Sequence, residues 1–227
     1  MAYNVKRPII ISLDGNIGAG KSTLIMQISE RLPQVQVITE PVQTWTDYKT
    51  SDGSNLLELF YSDKNRWAYT FQNCAVITRA LTIQESIAKY PEMDVFITER
   101  SLLTDRNVFA EMLYNDGTMN EVEWKLYNKW YDTFSSFIQI SGIVYLTTDT
   151  TNSELRIRKR NRAGEESITH EYLHKLDEQH EKWLSQTTVP VLRISTDDHV
   201  SIEDNVRMIG EFIQSIQTEK SMTHYRK

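Results

Sequence analysis

Short apolar runs alternate with longer stretches of helical periodicity along the whole chain. Pro8 to Leu13, Val35 to Thr39, Asp94 to Thr98, Gly142 to Thr147 and Val189 to Ile194 are brief and rich in β-branched residues, which predicts strands. Leu24 to Leu32, Leu56 to Tyr90, Leu102 to Tyr114, Met119 to Ile138, Thr150 to Arg162, a stretch through Asp177 to Leu184, and Ile202 to Ile216 predict helices. Asp63-Lys64-Asn65 breaks the longest of these, and the polar Tyr48 to Asn55 reads as a loop. This alternation predicts an α/β fold in three layers, a five-stranded parallel sheet flanked by helices. No Pro-, Gly- or Ser-rich linker and no internal repeat divides the 227 residues. One domain is therefore expected over 1–227, its core at about 8–217 and its polar tail, 218–227, frayed.

One helix has more apolar surface than docking on a sheet requires. Between Met119 and Ile138, Trp124, Tyr127, Tyr131 and Phe134 make one stripe, and Leu126, Trp130 and Phe137 a neighbouring one. The surplus predicts a subunit interface, and hence a homodimer.

Composition narrows the setting. A net charge of −6 argues against a protein that coats nucleic acid, which needs many cations at phosphates. The single cysteine, Cys74, cannot form an intrachain disulfide and sits in an apolar helical pattern, so a small core residue in a reducing, cytoplasmic setting is expected. The first residues lack the apolar run of a signal peptide, and no stretch has the length of a membrane span.

The chemistry centres on Gly15-Asn16-Ile17-Gly18-Ala19-Gly20-Lys21-Ser22-Thr23, between the first strand and the first helix. Glycines at this spacing let backbone N–H groups converge on phosphate oxygens, and the helix adds its positive N-terminal end. Lys21 would reach the outer phosphates and the Ser22 hydroxyl would take Mg²⁺, so a nucleotide-binding P-loop is expected. Ligands of an open parallel sheet bind beyond the carboxyl ends of its strands. Glu40 follows the second strand and is either a proton acceptor for a hydroxyl or an exposed strand-end acid. Glu99-Arg100-Ser101 ends the third strand and suits Mg²⁺ and phosphate chemistry, with an ordinary salt bridge as the competing account. Arg156, Arg158, Lys159, Arg160 and Arg162 form either a solvated face or, in a chain with a phosphate loop, a lid that closes on a phosphoryl group.

His170-Glu171-Tyr172-Leu173-His174 matches the zinc signature H-E-x-x-H, with His180 at the spacing of a third ligand. The extended signature needs a glycine at 177, where this chain has Asp177 and the helix runs on. On a continuous helix His180 lies about 15 Å along the axis from His170, too far to share one ion.

In this order these segments resemble the deoxynucleoside kinase family of P-loop enzymes over about residues 8–196. The marks are the glycine loop, Glu40-Pro41-Val42 with Trp45, Arg66-Trp67, Thr70-Phe71-Gln72, and Glu99-Arg100-Ser101 with Asp105-Arg106. Arg156, Arg160-Asn161-Arg162 with Glu165, and His180-Glu181-Lys182-Trp183-Leu184 follow. The resemblance implies a three-layer P-loop kinase with an arginine-rich lid, which moves the γ-phosphate of ATP or another nucleoside triphosphate to a deoxynucleoside 5′-hydroxyl. By resemblance Glu40 is the general base, with Arg100 beside it, and Ser22 and Glu99 serve Mg²⁺. Gly15, Asn16, Gly18, Ala19, Gly20, Lys21, Ser22 and Thr23 hold the donor, with Arg156 packing on its base and the lid arginines Arg160 and Arg162 acting catalytically with Lys21. Gln72 pairs with the nucleoside's base, Phe71 and Phe109 sandwich it, and Tyr61 and Glu165 hold the 3′-hydroxyl. Trp45, Leu57, Phe60 and Ala75 complete the expected pocket.

Members that accept deoxycytidine or purine deoxynucleosides carry an arginine and an aspartate facing the base, and here those positions read Arg79 and Asp105. An ionised pair would be left unsatisfied around thymine, so deoxycytidine, deoxyadenosine or deoxyguanosine is expected over thymidine. Thr44 replaces a residue that is basic in many members, which keeps a deoxynucleoside monophosphate kinase as the alternative. Gly164 interrupts the acidic run, leaving Glu165 and Glu166 as rivals for the 3′-hydroxyl. A nucleotide-dependent switch without transfer is a further reading, against which Glu40 beside Arg100 and the stacking residues argue.

Overall fold

The computed structural model of the protein describes residues 7–162, 165–197 and 201–224. Ile9–Gly15 forms β1, and its alternation explains the layers. Ile9, Ile11 and Leu13 face one side of the sheet, while Ile10 packs into the cluster on the other. β2 (Val35–Ile38), β3 (Val95–Glu99), β4 (Gly142–Thr147) and β5 (Val191–Ser195) complete an all-parallel sheet in the order β2-β3-β1-β4-β5. Leu13 pairs with Glu99 and Gly15 with Leu146, so the carboxyl ends of the three central strands lie side by side.

The helices are α1 (Lys21–Arg31), α2 (Val42–Asp47), α3 (Leu56–Ser62), α4 (Lys64–Lys89), α5 (Leu102–Thr104), α6 (Glu111–Asn115), α7 (Glu121–Ser135), α8 (Thr150–Arg160), α9 (His170–Gln186) and α10 (Ile202–His224). Ile25 and Ile28 of α1, with Ile209 and Ile213 of α10, cover the face that carries Ile11 and Leu13. On the other face, Val76, Ala80 and Ile83 of α4 and Tyr127 of α7 pack with Ile10 and Phe96, while Ile157, Leu173 and Leu176 pack with Ile143 and Tyr145. Each such aliphatic side chain contributes about 1.5–3 kcal/mol by leaving water, so the three predicted layers follow from the strand alternation.

The long helical stretch breaks at Asp63, as its sequence suggests, because the Asp63 carboxylate caps Arg66 N–H at 3.1 Å and starts α4 afresh. Three differences from the sequence pattern matter. The stretch from Leu102 to Tyr114 contains a π-helical turn, Asp105–Ala110, between α5 and α6. α8 stops at Arg160, where Asn161 takes φ 51° and closes the helix with its N–H on Ile157 O. The expected frayed tail is helical through His224: Lys220 Nζ donates to Ser141 Oγ at 2.9 Å and ties it to the end of the sheet. Residues 225–227 of that tail lie outside the described residues. Cys74 is half-buried rather than a core residue, at the edge of the Trp45, Phe60 and Phe71 cluster.

Candidate active site

Beyond the carboxyl ends of β1, β2 and β3 lies a cavity of about 550 Å³. Of the phosphate loop, Gly18, Gly20, Lys21, Ser22 and Thr23 line it, while Gly15, Asn16 and Ala19 sit behind and shape the loop. Asn16 Nδ2 donates to Leu173 O at 2.8 Å and its Oδ1 accepts from Ile17 N–H at 2.8 Å, so its side chain braces the loop against α9. Gly18 has φ +83°, and a Cβ there would come within 2.5 Å of Ser153 O, so only glycine lets the loop approach α8 this closely. Lys21 Nζ donates to Gly15 O at 3.0 Å and Asn16 O at 2.7 Å. Burial and the nearby Arg100 charge pull its amine down to about 7, against the opposite pull of Glu99, Glu40 and Asp14.

Ser22 Oγ donates to Glu99 Oε1 at 2.9 Å. A hydroxyl and a carboxylate meeting beside the phosphate loop are hard oxygen donors and fit Mg²⁺.

Glu40 meets two arginines. Arg79 Nη2 reaches Oε1 at 2.9 Å, and Arg100 Nη1 reaches Oε1 at 3.0 Å and Oε2 at 3.2 Å. Burial opposes its charge, but Arg100, Arg79 and Lys21 overcome that and hold the carboxyl down at about 2. Such a group is ionised at neutral pH and able to accept a proton. Of the two sequence accounts of Glu40, the exposed strand-end acid does not hold. Arg100 itself has φ 60°, a conformation that costs roughly 1–3 kcal/mol in a residue with a side chain and persists only when its surroundings fix it. Here Arg100 N–H donates to Leu13 O at 3.0 Å and Arg100 Nη2 to Gly15 O at 3.3 Å.

Arg79 also donates from Nε to Asp105 Oδ2 at 2.8 Å and from Nη1 to Glu99 O at 2.7 Å. Against the cost of burial, Asp105 and Glu40 push its guanidinium upward, so it stays charged. Gln72 and Ala75 line the same wall from α4. Phe71 stacks on Phe60 at 4.5 Å and meets Trp45 edge-on at 5.3 Å, making an aromatic wall backed by Leu57. Phe109 lines the cavity from the π turn, with the Arg100 guanidinium 5.0 Å from its ring centroid.

The lid residues are brought to the same cavity. Arg160 grips Glu165 through Nε at 3.1 Å and Nη2 at 2.8 Å, and Arg162 Nη1 approaches Glu165 Oε1 at 3.3 Å. Glu165 is buried and lines the cavity, whereas its rival Glu166 is exposed. Burial and the Glu165 charge both push the Tyr61 phenol upward. Arg156 donates to Gly18 O at 3.4 Å, Thr196 Oγ1 at 3.2 Å and Thr196 O at 3.0 Å.

Several residues here escape the sequence reading. Thr196 and Asp197, which hold Arg156 and Asn152, follow β5 at its carboxyl end, and the strand-end rule that singles out Glu40 could have found them. Asp14, buried by its position in β1 and raised by that burial, accepts a bond from Thr104 Oγ1. Tyr172 also lines the cavity, and no local pattern announces it. Of the zinc signature, His170 and His174 are exposed and His180 is fully buried, and no group of three or more His, Cys, Asp or Glu residues placed to hold a metal occurs among the described residues.

A phosphate loop, an ionised strand-end carboxylate and an arginine-rich lid around one cavity define a phosphotransferase of the P-loop class. The Deoxynucleoside kinase family profile matches residues 11–219. Deoxycytidine kinase 2 of Gallus gallus is 39% identical over 205 residues, covering 82% of this chain and 77% of that protein. Mitochondrial deoxyguanosine kinase of Xenopus laevis is 37% identical, covering 80% of this chain and 75% of its own. Deoxycytidine kinase of Homo sapiens is 32% identical over 237 residues, covering 91% of each. The chain belongs to the deoxynucleoside kinase family and is a kinase of deoxynucleosides.

Proposed function

We propose that the protein transfers the γ-phosphoryl group of ATP, or another nucleoside triphosphate, to the 5′-hydroxyl of deoxycytidine, deoxyadenosine or deoxyguanosine in preference to thymidine. The observation that carries this reading is Glu40, held ionised by Arg79 and Arg100 in the cavity that the phosphate loop also lines. Glu40 accepts the 5′-hydroxyl proton while Arg100 fixes its carboxylate. Lys21, Arg160 and Arg162 meet the charge that develops on the transferring phosphoryl oxygens. Ser22 and Glu99 would hold Mg²⁺, which when bound neutralises donor phosphate charge. Gln72 pairs with the base edge, Phe71 and Phe109 stack on its faces, and Tyr61 and Glu165 bind the 3′-hydroxyl. Arg79 and Asp105 offer donors and an acceptor that a cytosine or purine edge satisfies and thymine does not. Arg156, beside Gly18 and Thr196, packs on the donor's base.

The exposed face of α7 and the turn after it supports a homodimer: Val122, Leu126 and Trp130 on the helix and Phe137 just past its end each leave 46–65% of their surface in water. The monophosphate kinase alternative is not favoured, since the matching family and relatives are named for deoxynucleosides and Thr44 offers no cation to an acceptor phosphate.

The test is phosphorylation of the four natural deoxynucleosides with ATP and Mg²⁺. Turnover with thymidine giving the lowest kcat/KM is expected, and Glu40→Gln should lower kcat by roughly 10²–10⁴-fold. Thymidine as the best substrate would refute the preference, and near wild-type turnover by Glu40→Gln would refute the assigned proton acceptor.

A further inference from the structure

The helix that bears Asp105 and Phe109 contains a turn that the sequence does not announce. From Asp105 to Ala110 the backbone is π-helical, and Glu111 N–H reaches back five residues to Arg106 O. Such a turn takes carbonyl oxygens off the ordinary four-residue ladder, so it persists where neighbours supply the missing partners. Here α9 supplies a partner for one such carbonyl, and α7 anchors a side chain of the turn. From α9, Gln179 Nε2 donates to Asn107 O at 2.7 Å, and the next residue, His180, meets the Phe109 ring edge-on at 6.5 Å between centroids. From α7, Asn128 Oδ1 accepts from Arg106 Nε at 3.0 Å, and the Arg106 guanidinium lies 5.2 Å from the Trp124 ring and 5.9 Å from Tyr131. Arg106 Nη1 also donates to Asn107 Oδ1 at 2.7 Å, so the two braces converge on one residue of the turn. Asp105 and Phe109 lie at either end of that turn and both line the cavity, whereas Gln179 and Arg106 stand outside it.

We propose that Gln179, acting with Arg106, is a positioning residue for base selection. By capping Asn107 O it holds the π turn open and so fixes Asp105, which faces the base edge, relative to Phe109, which stacks on the base. The inference rests on the reading of the cavity as a deoxynucleoside site. When the brace is lost the turn relaxes toward the tighter α geometry and rotates Asp105 against Phe109. Lys21 and the phosphate loop belong to other elements and keep their places, and Glu40, which meets Asp105 only through Arg79, keeps its direct bonds from Arg100.

The test compares Gln179→Leu, which keeps the bulk and removes the donor, with Gln179→Lys, which restores a donor of similar reach. Steady-state constants are measured for the four deoxynucleosides. In Gln179→Leu the ratio of kcat/KM between the best and worst base should narrow by roughly tenfold, the worth of one well-made hydrogen bond, and the change should sit in KM. kcat for the best base should stay within about threefold of wild type, because Glu40 keeps its direct bonds from Arg100 and Lys21 stays in the phosphate loop. Gln179→Lys should recover most of the ratio. Arg106→Lys, which keeps the charge but loses the fork to Asn107 and Asn128, should narrow it as Gln179→Leu does, and decides the matter if Gln179→Leu does not fold. An unchanged ratio in an active enzyme overturns the inference alone, as does a loss spread evenly over all four bases in kcat. A wild-type protein that phosphorylates none of the four overturns the reading of the site and the inference with it.

Discussion

His180 has no exposed surface, and its Nδ1–H donates to Leu176 O at 2.6 Å, which fixes the tautomer and leaves Nε2 buried without a hydrogen-bond partner among the described residues. Its ring stacks on Tyr145 at 5.4 Å, so the imidazole is held as a flat, neutral packing group. Burial pulls its pKa down to about 3 against the Leu176 bond, and the charges that reach it, Arg100 and Lys21, push the same way as burial. An unfolded imidazole titrates near 6.5, so between about 6.5 and 3 the unfolded chain binds a proton that the folded chain refuses. Stability therefore falls as pH drops through that window, by about 1.4 kcal/mol per pH unit from this group. Glu40 acts lower: its carboxyl is depressed to about 2, so its contribution is complete above the ordinary carboxylate range and is lost only as pH falls toward 2. Urea midpoints followed from pH 7 to 4.5 should decline in the wild type and decline less steeply in His180→Phe, which keeps a ring against Tyr145. Equal slopes in the two proteins would show that His180 is not the group that titrates.

At the scale of elements, α7 makes the clearest claim, because its two stripes have different fates. Tyr127 is fully buried, and Trp124, Tyr131 and Phe134 pack with it onto Ile10 and Phe96, whereas Leu126, Trp130 and, in the turn past the helix, Phe137 stay about half in water. Trp130 and Phe134 stack at 6.2 Å, which extends the apolar surface around the helix. On the proposed homodimer a second copy covers that face, and Leu126→Glu with Trp130→Glu should then turn a sedimenting dimer into a monomer. A wild-type monomer at micromolar concentration would remove the proposal. The stripes were legible because helical spacing separates them, and the strands because their buried runs are short and bounded. The π turn was not, since Leu102 to Tyr114 has the same apolar residues whether a turn holds four residues or five; the difference lies in Gln179, 72 positions from the carbonyl it caps. The helix past Ile216 is hidden from sequence for a related reason: its polar residues do not advertise a helix, and the tie from Lys220 to Ser141 spans 79 positions.

Over the whole molecule the phosphate loop, the acid at the end of β2 and the lid converge because β1, β2 and β3 end together and α8 and α9 lean on the loop through Gly18 and Asn16. What local spacing cannot convey is that Arg160, expected to meet donor phosphate, is engaged by Glu165, expected to bind the acceptor's 3′-hydroxyl. On the proposed assignments one guanidinium therefore stands between both halves of the reaction. When donor phosphate draws Arg160 away, Glu165 gains free lone pairs for the sugar hydroxyl, so the two ligands should bind with positive coupling. The deoxynucleoside Kd, measured calorimetrically with and without a non-hydrolysable ATP analogue, should tighten by at least roughly fivefold when the analogue is present, and by reciprocity the analogue should gain the same factor. Arg160→Ala removes the closer of the two arginines that hold Glu165 and leaves Arg162 at 3.3 Å, so its deoxynucleoside affinity should respond to the analogue less than the wild type does. Equal Kd values with and without the analogue in the wild type would mean that the Arg160–Glu165 pair does not link the two sites.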